Sequence, residues 1–163
     1  MPRVVLVHPQ IPPNTGNVAR SCAATGSELH LVEPLGFTIS DRQLRRAGLD
    51  YWPLVDLRLH ADLEAFRSWQ RQIGGRTIAL TARGDHCYSN FSFQADDWLL
   101  FGCESDGLPP ELLAQADVQL TIPMRPPAAQ GEPCVRSLNL SVAVGVVLFE
   151  ALRQLRSSRP DAI

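Results

Sequence analysis

The chain has 163 residues, with 15 basic and 17 acidic side chains and a net charge of −2. Its 45% hydrophobic and 20% charged residues are typical of a soluble globular domain, not of a disordered or fibrous chain. No apolar run reaches the roughly 20 residues of a transmembrane helix, and VVLVH near the N-terminus is too short for a signal-peptide core. We therefore expect one domain over residues 1–163, located in the cytoplasm.

The cysteines and the basic residues carry little functional information. Cys22, Cys87, Cys103 and Cys134 are scattered without a CxxC spacing, which favours free thiols over a metal site or disulfides. All 15 basic residues are arginine, a side chain that suits phosphate contacts and base stacking. GC-rich codons explain this usage equally well, so the arginines alone do not indicate a nucleic-acid partner.

Strand-like and helical runs alternate along the chain. The first helix has Asn14 as a possible cap and Gly26 as a stop, and the second has Ser40 as a cap. In chain order we predict a strand at Arg3–His8, a helix from Asn14 to Gly26, a strand at Glu28–Glu33, a helix at Ser40–Gly48, a strand at Val55–His60, a helix at Asp62–Gln72, strands at Arg76–Ala82 and Asp97–Gly102, a helix at Pro109–Ala116, a strand at Val118–Met124 and a helix within Val135–Gln154.

This alternation predicts an α/β fold. Strands rich in Val, Ile and Leu that are separated by helices form mostly parallel sheets with helices on both faces. Ligands bind such sheets outside the carboxyl ends of the strands. We therefore expect a functional site among Leu80–Arg83, Phe101–Gly107 and Ile122–Ser137.

The first candidate motif is IPPNTGNVAR, which links the first strand to the first helix. It matches neither GxGxxG nor GxxxxGK[ST], so a standard dinucleotide or ATP site is not indicated. Asn17 and Arg20 are three residues apart and share one helix face, where an amide and a guanidinium suit a sugar-phosphate. A helix cap followed by a solvated arginine explains the same pattern.

The second motif is LLFGCESDGLP, where a strand ends in a loop with two glycines. Gly102 and Gly107 suggest a sharp turn or a backbone that lies close to a ligand. Glu104, between them, is either a solvated carboxylate or one that holds backbone amides of a binding loop.

The third motif joins IPM to VRSLNLS through a loop rich in proline. Ile122 and Met124 offer apolar surface at a strand end, while Ser137 and Asn139 place a hydroxyl and an amide at a helix start. An N-cap serine with a polar first turn is the commoner explanation of this last pattern.

The remaining candidates are weaker. Arg42, Arg45 and Arg46 cluster on the second predicted helix, either as a phosphate-contacting patch or as an ordinary solvated face. His8 ends a strand and His86 is expected in a loop. Without a second ligand at regular spacing, we assign all four histidines structural or surface roles and predict no metal.

Three segments, taken in chain order, resemble the three motifs of the SpoU branch of the SPOUT methyltransferases: NTGNVAR, FGCESDGLP and IPM…RSLNLS. QIPPNTGN and RRAGLDYW are closest to its TrmL type, small tRNA 2′-O-methyltransferases that act on the wobble nucleotide. The resemblance covers Val4 to Gln154. It implies a C-terminal deep trefoil knot, S-adenosylmethionine as methyl donor, tRNA as substrate and a homodimer.

The resemblance also implies roles for individual residues. The first and third motifs supply the catalytic candidates Arg20, Asn17, Ser137 and Asn139, and Arg20 is expected to orient the ribose hydroxyl. The cofactor-binding candidates are Leu80, Gly102, Glu104, Ile122, Met124, Ser137 and Leu138. The substrate-binding candidates are Arg42, Arg45, Arg46 and Arg125.

The chain departs from the TrmL pattern at two places. RPPAAQGEPCV (Arg125–Val135) is longer than the usual connection, and Cys103 stands where proline is usual. Two alternatives stay open: methylation of another RNA such as ribosomal RNA, and a dimeric RNA-binding module without catalysis.

Overall fold

The structure, a computed structural model, describes residues 1–39, 51–126 and 134–157. These ranges contain seven strands: β1 (Arg3–Val7), β2 (Leu29–Val32), β3 (Leu57–His60), β4 (Thr77–Leu80), β5 (His86–Cys87), β6 (Trp98–Phe101) and β7 (Val118–Thr121). They also contain four α-helices: α1 (Pro12–Thr25), α2 (Leu63–Ile73), α3 (Pro110–Gln115) and α4 (Leu140–Ser157). Single 3₁₀ turns cover Trp52–Leu54 and Tyr88–Asn90.

The strands form one sheet in the order β3-β2-β1-β6-β4-β7-β5, and every pair is parallel. The central neighbours β2, β1 and β6 are short apolar runs buried on both sides, as expected for strands covered by helices on both faces. The predicted parallel α/β sheet is therefore confirmed.

Each face of the sheet has its own apolar core, because successive strand residues point to opposite sides. On one face α1 and α4 pack together, with Val18, Val144 and Leu148 buried. On the other face α2 and α3 contribute Phe66 and Leu112. This arrangement brings the two helices that follow the first and third motifs side by side.

The element boundaries correct three sequence interpretations. Asn14 does not cap α1, because the helix already begins at Pro12 and Asn14 is buried within its first turn. The last helix begins only at Leu140, so Ser137 precedes it and the capping residue is Asn139. His86 lies in the short edge strand β5 instead of a loop. The predicted helix Ser40–Gly48 lies outside the described residues.

The four cysteines are free, as predicted. Burial raises the pKa of the Cys22 thiol to about 12, so this side chain stays protonated and packs as a small apolar group.

Two buried histidines join β2 to β3. Glu28 can only accept, so Nε2–H of His30 donates to its carboxylate at 3.2 Å. Nδ1 of His30 then accepts from Nε2–H of His60 at 2.9 Å. Burial lowers the pKa of His30 from its ordinary 6.5 to about 4, and burial next to Arg58 lowers the pKa of His60. The pair is therefore neutral and held in one tautomeric arrangement.

This pair predicts a loss of stability in mild acid. As the pH falls through 6.5, His30 of the unfolded chain takes up a proton that His30 of the folded chain does not accept until the pH is about 4. We expect the free energy of unfolding to decrease by about 3 kcal/mol across this window. The measurement is denaturant unfolding from pH 7.5 to 4, compared with His30→Gln. His86→Gln, an exposed site, is the control. An equal slope in wild type and His30→Gln would contradict the assignment.

Candidate functional site

The Glu104 carboxylate ties the second motif to the first. One oxygen accepts from the backbone N–H of Gln10 at 2.9 Å. The other accepts from the backbone N–H of Ile11 at 3.3 Å and from Nδ2 of Asn14 at 2.9 Å. Glu104 thus holds backbone amides at the start of α1 and is not a merely solvated carboxylate.

Asn14 extends the same network to the third motif. Its Nδ2 donates to Glu104, and its Oδ1 accepts from Nδ2 of Asn139 at 2.9 Å. Oδ1 of Asn139 in turn accepts from the backbone N–H and the hydroxyl of Ser141, which caps α4. Three motifs that are far apart in the sequence are therefore joined by one chain of side-chain hydrogen bonds.

Each of the two glycines of the second motif is required for a different structural reason. A Cβ on Gly102 would come within 1.9 Å of the Gly107 carbonyl carbon, so only glycine allows the loop to fold back here. Gly107 adopts φ 75°, a left-handed conformation that favours glycine. Backbone hydrogen bonds between Cys103 and Gly107 close the loop. This turn is what presents Glu104 to α1.

Three of the seven predicted cofactor residues lie at the carboxyl ends of three neighbouring strands. Leu80, the last residue of β4, is in register with Phe101 of β6 and Leu120 of β7. Gly102 follows β6 directly and Ile122 follows β7 directly. Strand pairing thus brings these three predicted positions together at one edge of the sheet, where α/β folds bind ligands.

The chemistry of this edge fits an adenosine-bearing cofactor. Leu80 and Ile122 are half-buried, so they expose part of an apolar surface of the kind that accepts a heteroaromatic ring. Met124, two residues beyond Ile122, and Leu138, shortly before α4, are also half-buried. Ser137 lies exposed just before α4 and adds a hydroxyl. Within the described ranges no three His, Cys, Asp or Glu side chains are arranged to hold a metal ion.

Asn17 and Arg20 lie exposed on α1, about one and about two turns beyond the buried Asn14. The guanidinium carbon of Arg20 lies over the Tyr51 ring, 4.8 Å from its centroid. Among the residues that the structure describes, no carboxylate pairs with Arg20. Its N–H groups are therefore available to an external anion or oxygen.

The structure describes one of the four predicted substrate-binding arginines. Arg125 is exposed after β7, immediately before the undescribed stretch 127–133. Arg42, Arg45 and Arg46 lie outside the described residues.

A cavity of about 420 Å³ opens at the carboxyl ends of β1 and β2, beside the Glu104 loop. His8, with φ 53°, and Leu35 line it together with residues of the loop that follows β6. None of the predicted cofactor residues lines this cavity. It adjoins the hydrogen-bond network through Gln10, and its lining includes Cys103, the neighbour of Gly102, but neither Leu80 nor Ile122.

Sequence reasoning missed the central role of Asn14 and the contact made by Tyr51. Asn14 looked like a cap because asparagine next to a helix start usually is one. An available signal was the adjacent proline pair, which already suits the opening turn of a helix and places Asn14 inside it. Tyr51 contacts Arg20, which is 31 positions away in the sequence, and no local pattern indicates such a contact.

Comparison with known proteins places these features in a family. The model of the SpoU rRNA Methylase family matches residues 1–149. A Burkholderia cenocepacia protein named tRNA (cytidine(34)-2'-O)-methyltransferase is 48% identical over 153 residues, 93% of this chain and 94% of that protein. A Beijerinckia indica protein of the same name is 45% identical over 152 residues, 93% of this chain and 91% of that protein.

Solved structures agree with the sequence matches. One, described as "Structural insights into the 2-OH methylation of C/U34 on tRNA", has a TM-score of 0.88 and 52% identity, covering 96% of this chain and 97% of that chain. An AdoMet-bound rRNA methyltransferase from Sinorhizobium meliloti has a TM-score of 0.80 and 30% identity, covering 94% of this chain and 56% of that chain. The extent of these matches, over all three motifs, shows that the chain belongs to the SpoU methylase family.

Proposed function

We propose that this protein is an S-adenosylmethionine-dependent tRNA 2′-O-methyltransferase that modifies the wobble nucleotide, a cytidine or uridine at position 34. The observation that carries the proposal is the likeness to a C/U34-methylating structure over nearly the whole of both chains. The relatives at 48% and 45% identity, both named for cytidine 34, support the same substrate.

The methyl donor is proposed from the chemistry of the sheet edge and from the AdoMet-bound neighbour at 30% identity. Leu80, Ile122, Met124 and Leu138 would hold the adenine, and backbone groups at Gly102 would complete the pocket. Glu104 would act through the loop that it braces, and the Ser137 hydroxyl would contact the cofactor. When bound, the cofactor supplies an electrophilic methyl group on a sulfonium; the proposed transfer uses no metal.

In the proposed reaction the ribose 2′ oxygen forms a bond to the methyl carbon as the bond between sulfur and that carbon breaks. The hydroxyl proton leaves to solvent or to a base that is not identified. The protein's contribution is alignment and stabilisation of negative charge on the oxygen. The guanidinium of Arg20 is exposed and pairs with no carboxylate of the described residues, so it is suited to donate to that oxygen and to a neighbouring phosphate. Arginine stays protonated in proteins, so Arg20 does not serve as the base.

The other catalytic candidates are proposed to have supporting roles in the reaction. Asn139 is already occupied by Asn14 and Ser141, so its proposed contribution is to hold the start of α4 in place. Asn17 and Ser137 are exposed and can reach substrate directly. Arg125, together with Arg42, Arg45 and Arg46, is proposed to contact tRNA phosphates.

We further propose a homodimer that packs through α4. Val142 and Phe149 are 50% and 53% exposed, and the half-buried Val146 lies between them on the same helix face. An exposed apolar stripe of this kind, on a helix whose opposite face is buried in the core, is typical of an interface. The C-terminal trefoil knot, the single domain and the cytoplasmic location are proposed from family membership. No helix within the described ranges could cross a membrane.

Phe149→Asp should weaken dimerisation at least about a hundredfold, because a carboxylate would be desolvated in an apolar interface. Light scattering at micromolar concentration should then report a monomer, whereas Ile73→Asp, at an exposed apolar position on the other face of the sheet, should leave the dimer intact. A dimer that survives Phe149→Asp would contradict the assignment to this stripe.

The function is tested by incubating the protein with tritiated S-adenosylmethionine and either total tRNA or ribosomal RNA. We expect label in tRNA only, mapped by nuclease digestion to the 2′-O-methyl nucleotide at position 34. Ribosomal RNA is the necessary comparison because the family description and the Sinorhizobium meliloti neighbour both name it. Label in ribosomal RNA alone would overturn the tRNA assignment. Cofactor binding by calorimetry without transfer to either RNA would indicate a binding module.

A further inference from the structure

We propose that Tyr51 is a positioning residue that holds the Arg20 guanidinium in its working orientation. The inference rests on the proposed function of Arg20 and adds a residue from a separate segment of the chain. Its basis is the placement of the Arg20 guanidinium over the Tyr51 ring, 4.8 Å from guanidinium carbon to centroid.

The backbone that carries the Tyr51 ring belongs to a hydrogen-bonded turn over residues 51–55. The backbone carbonyl of Tyr51 accepts from the N–H of Leu54 at 2.9 Å, and that of Trp52 accepts from Val55 at 3.2 Å. The Trp52 side chain packs against the apolar core, and its turn contacts α1. Tyr51 is therefore carried by a hydrogen-bonded turn packed beside the helix that bears Arg20, and the residue is 40% exposed.

Arg20 shares with Arg58, which lies over Trp69, a ring contact without a carboxylate pair among the described residues. It differs in this from the other two arginines that contact aromatic rings. Arg3 lies over Trp98 and also pairs with Glu28, and Arg76 lies over Phe91 and also pairs with Asp97. For Arg20, the Tyr51 ring is the one partner recorded among residues 1–39, 51–126 and 134–157.

This difference matters because a carboxylate partner and an aromatic partner restrain arginine differently. A carboxylate occupies the N–H groups and neutralises the charge. A ring attracts the cation through its face and leaves the N–H groups, which lie in the guanidinium plane, unoccupied. The Tyr51 contact thus restrains a flexible side chain while preserving the donors and the positive charge that an alkoxide and a phosphate require.

The test compares Tyr51→Leu, Tyr51→Phe and Leu54→Ala in steady-state methylation of tRNA. Tyr51→Leu should lower kcat about five- to thirtyfold with little change in KM, because an orientation needed in the transition state is lost. Tyr51→Phe keeps the ring face and should retain near-wild-type kcat. Leu54→Ala, at an exposed side chain of the same turn, controls for disturbance of the turn. Unchanged kcat in Tyr51→Leu would overturn the proposal.

A double-mutant cycle separates positioning from direct contact with RNA. If Tyr51 acts through Arg20, Tyr51→Leu should have no further effect on single-turnover transfer in an Arg20→Ala background. If Tyr51 instead stacks on a base of the tRNA, the variant should raise KM equally in both backgrounds, and the positioning role would be wrong.

An NMR measurement that does not depend on catalysis distinguishes failure of this proposal from failure of the proposed function. In NMR spectra of the protein labelled with ¹⁵N and ¹³C on arginine, the side-chain resonances of Arg20 should be shifted upfield by the ring. The shift should persist in Tyr51→Phe and vanish in Tyr51→Leu. Absence of the shift in the wild type would overturn the positioning role. Absence of methyl transfer by a wild-type chain that shows the shift would overturn the proposed function instead.

Discussion

Replacing Arg20 with alanine should lower kcat for tRNA methylation by about 100- to 1,000-fold, the usual cost of removing a donor aimed at a developing oxyanion. The guanidinium is exposed and free of carboxylate partners among the described residues, so its loss removes an interaction with substrate and no internal ion pair. Affinity for S-adenosylmethionine, measured by calorimetry, should stay within about twofold, because Arg20 lies outside the strand ends proposed to hold the cofactor.

Two further variants sharpen this prediction. Arg20→Lys keeps the charge but loses the planar fork of donors, and we expect at least a tenfold decrease in kcat, by analogy with bidentate sites. Near-normal activity of Arg20→Lys at neutral pH would show that the guanidinium geometry is unimportant. Arg71→Ala, which removes an exposed arginine on α2, is the matched control and should leave kcat unchanged.

Replacing Glu104 with glutamine should weaken both the fold and the site. The carboxylate accepts three N–H groups, and a glutamine would turn an NH₂ group towards one or more of these donors. We expect the free energy of unfolding to fall by about 2 kcal/mol, the scale of a lost charge-assisted hydrogen bond with a donor left unpaired. The start of α1 is no longer tied to the β6 loop, so methyl transfer should also fall at least about tenfold.

Asp106→Asn is the matched control for Glu104→Gln. Asp106 lies in the same loop but is exposed and accepts only from its neighbours Ser105 and Cys103. Chemical unfolding and methylation assays should both leave Asp106→Asn close to wild type. Equal stability of Glu104→Gln and wild type would show that the Glu104 contacts with α1 contribute nothing measurable.

Much of the architecture could be predicted because it depends on local patterns. Apolar runs such as VVLV and WLLF indicated buried parallel strands, and Asp62 and Gly26 marked the helix ends where the structure has them. The start of the last helix was predicted too early. Its true boundary depends on Asn139, whose amide is held by Asn14 from a part of the chain 125 positions away.

The alternation of strands and helices and the three motifs could be recognised from the amino-acid sequence, and the resemblance of these motifs to the SpoU branch indicated the class of reaction. Composition, periodicity and motif spacing are local properties, so the linear chain already displays them. Three features emerge only in the folded chain: the strand order, the joining of the motifs through Glu104, Asn14 and Asn139, and the placement of Arg20 over Tyr51. These depend on hydrogen bonds and packing between distant segments, whose partners are selected by geometry and not by any neighbouring residue.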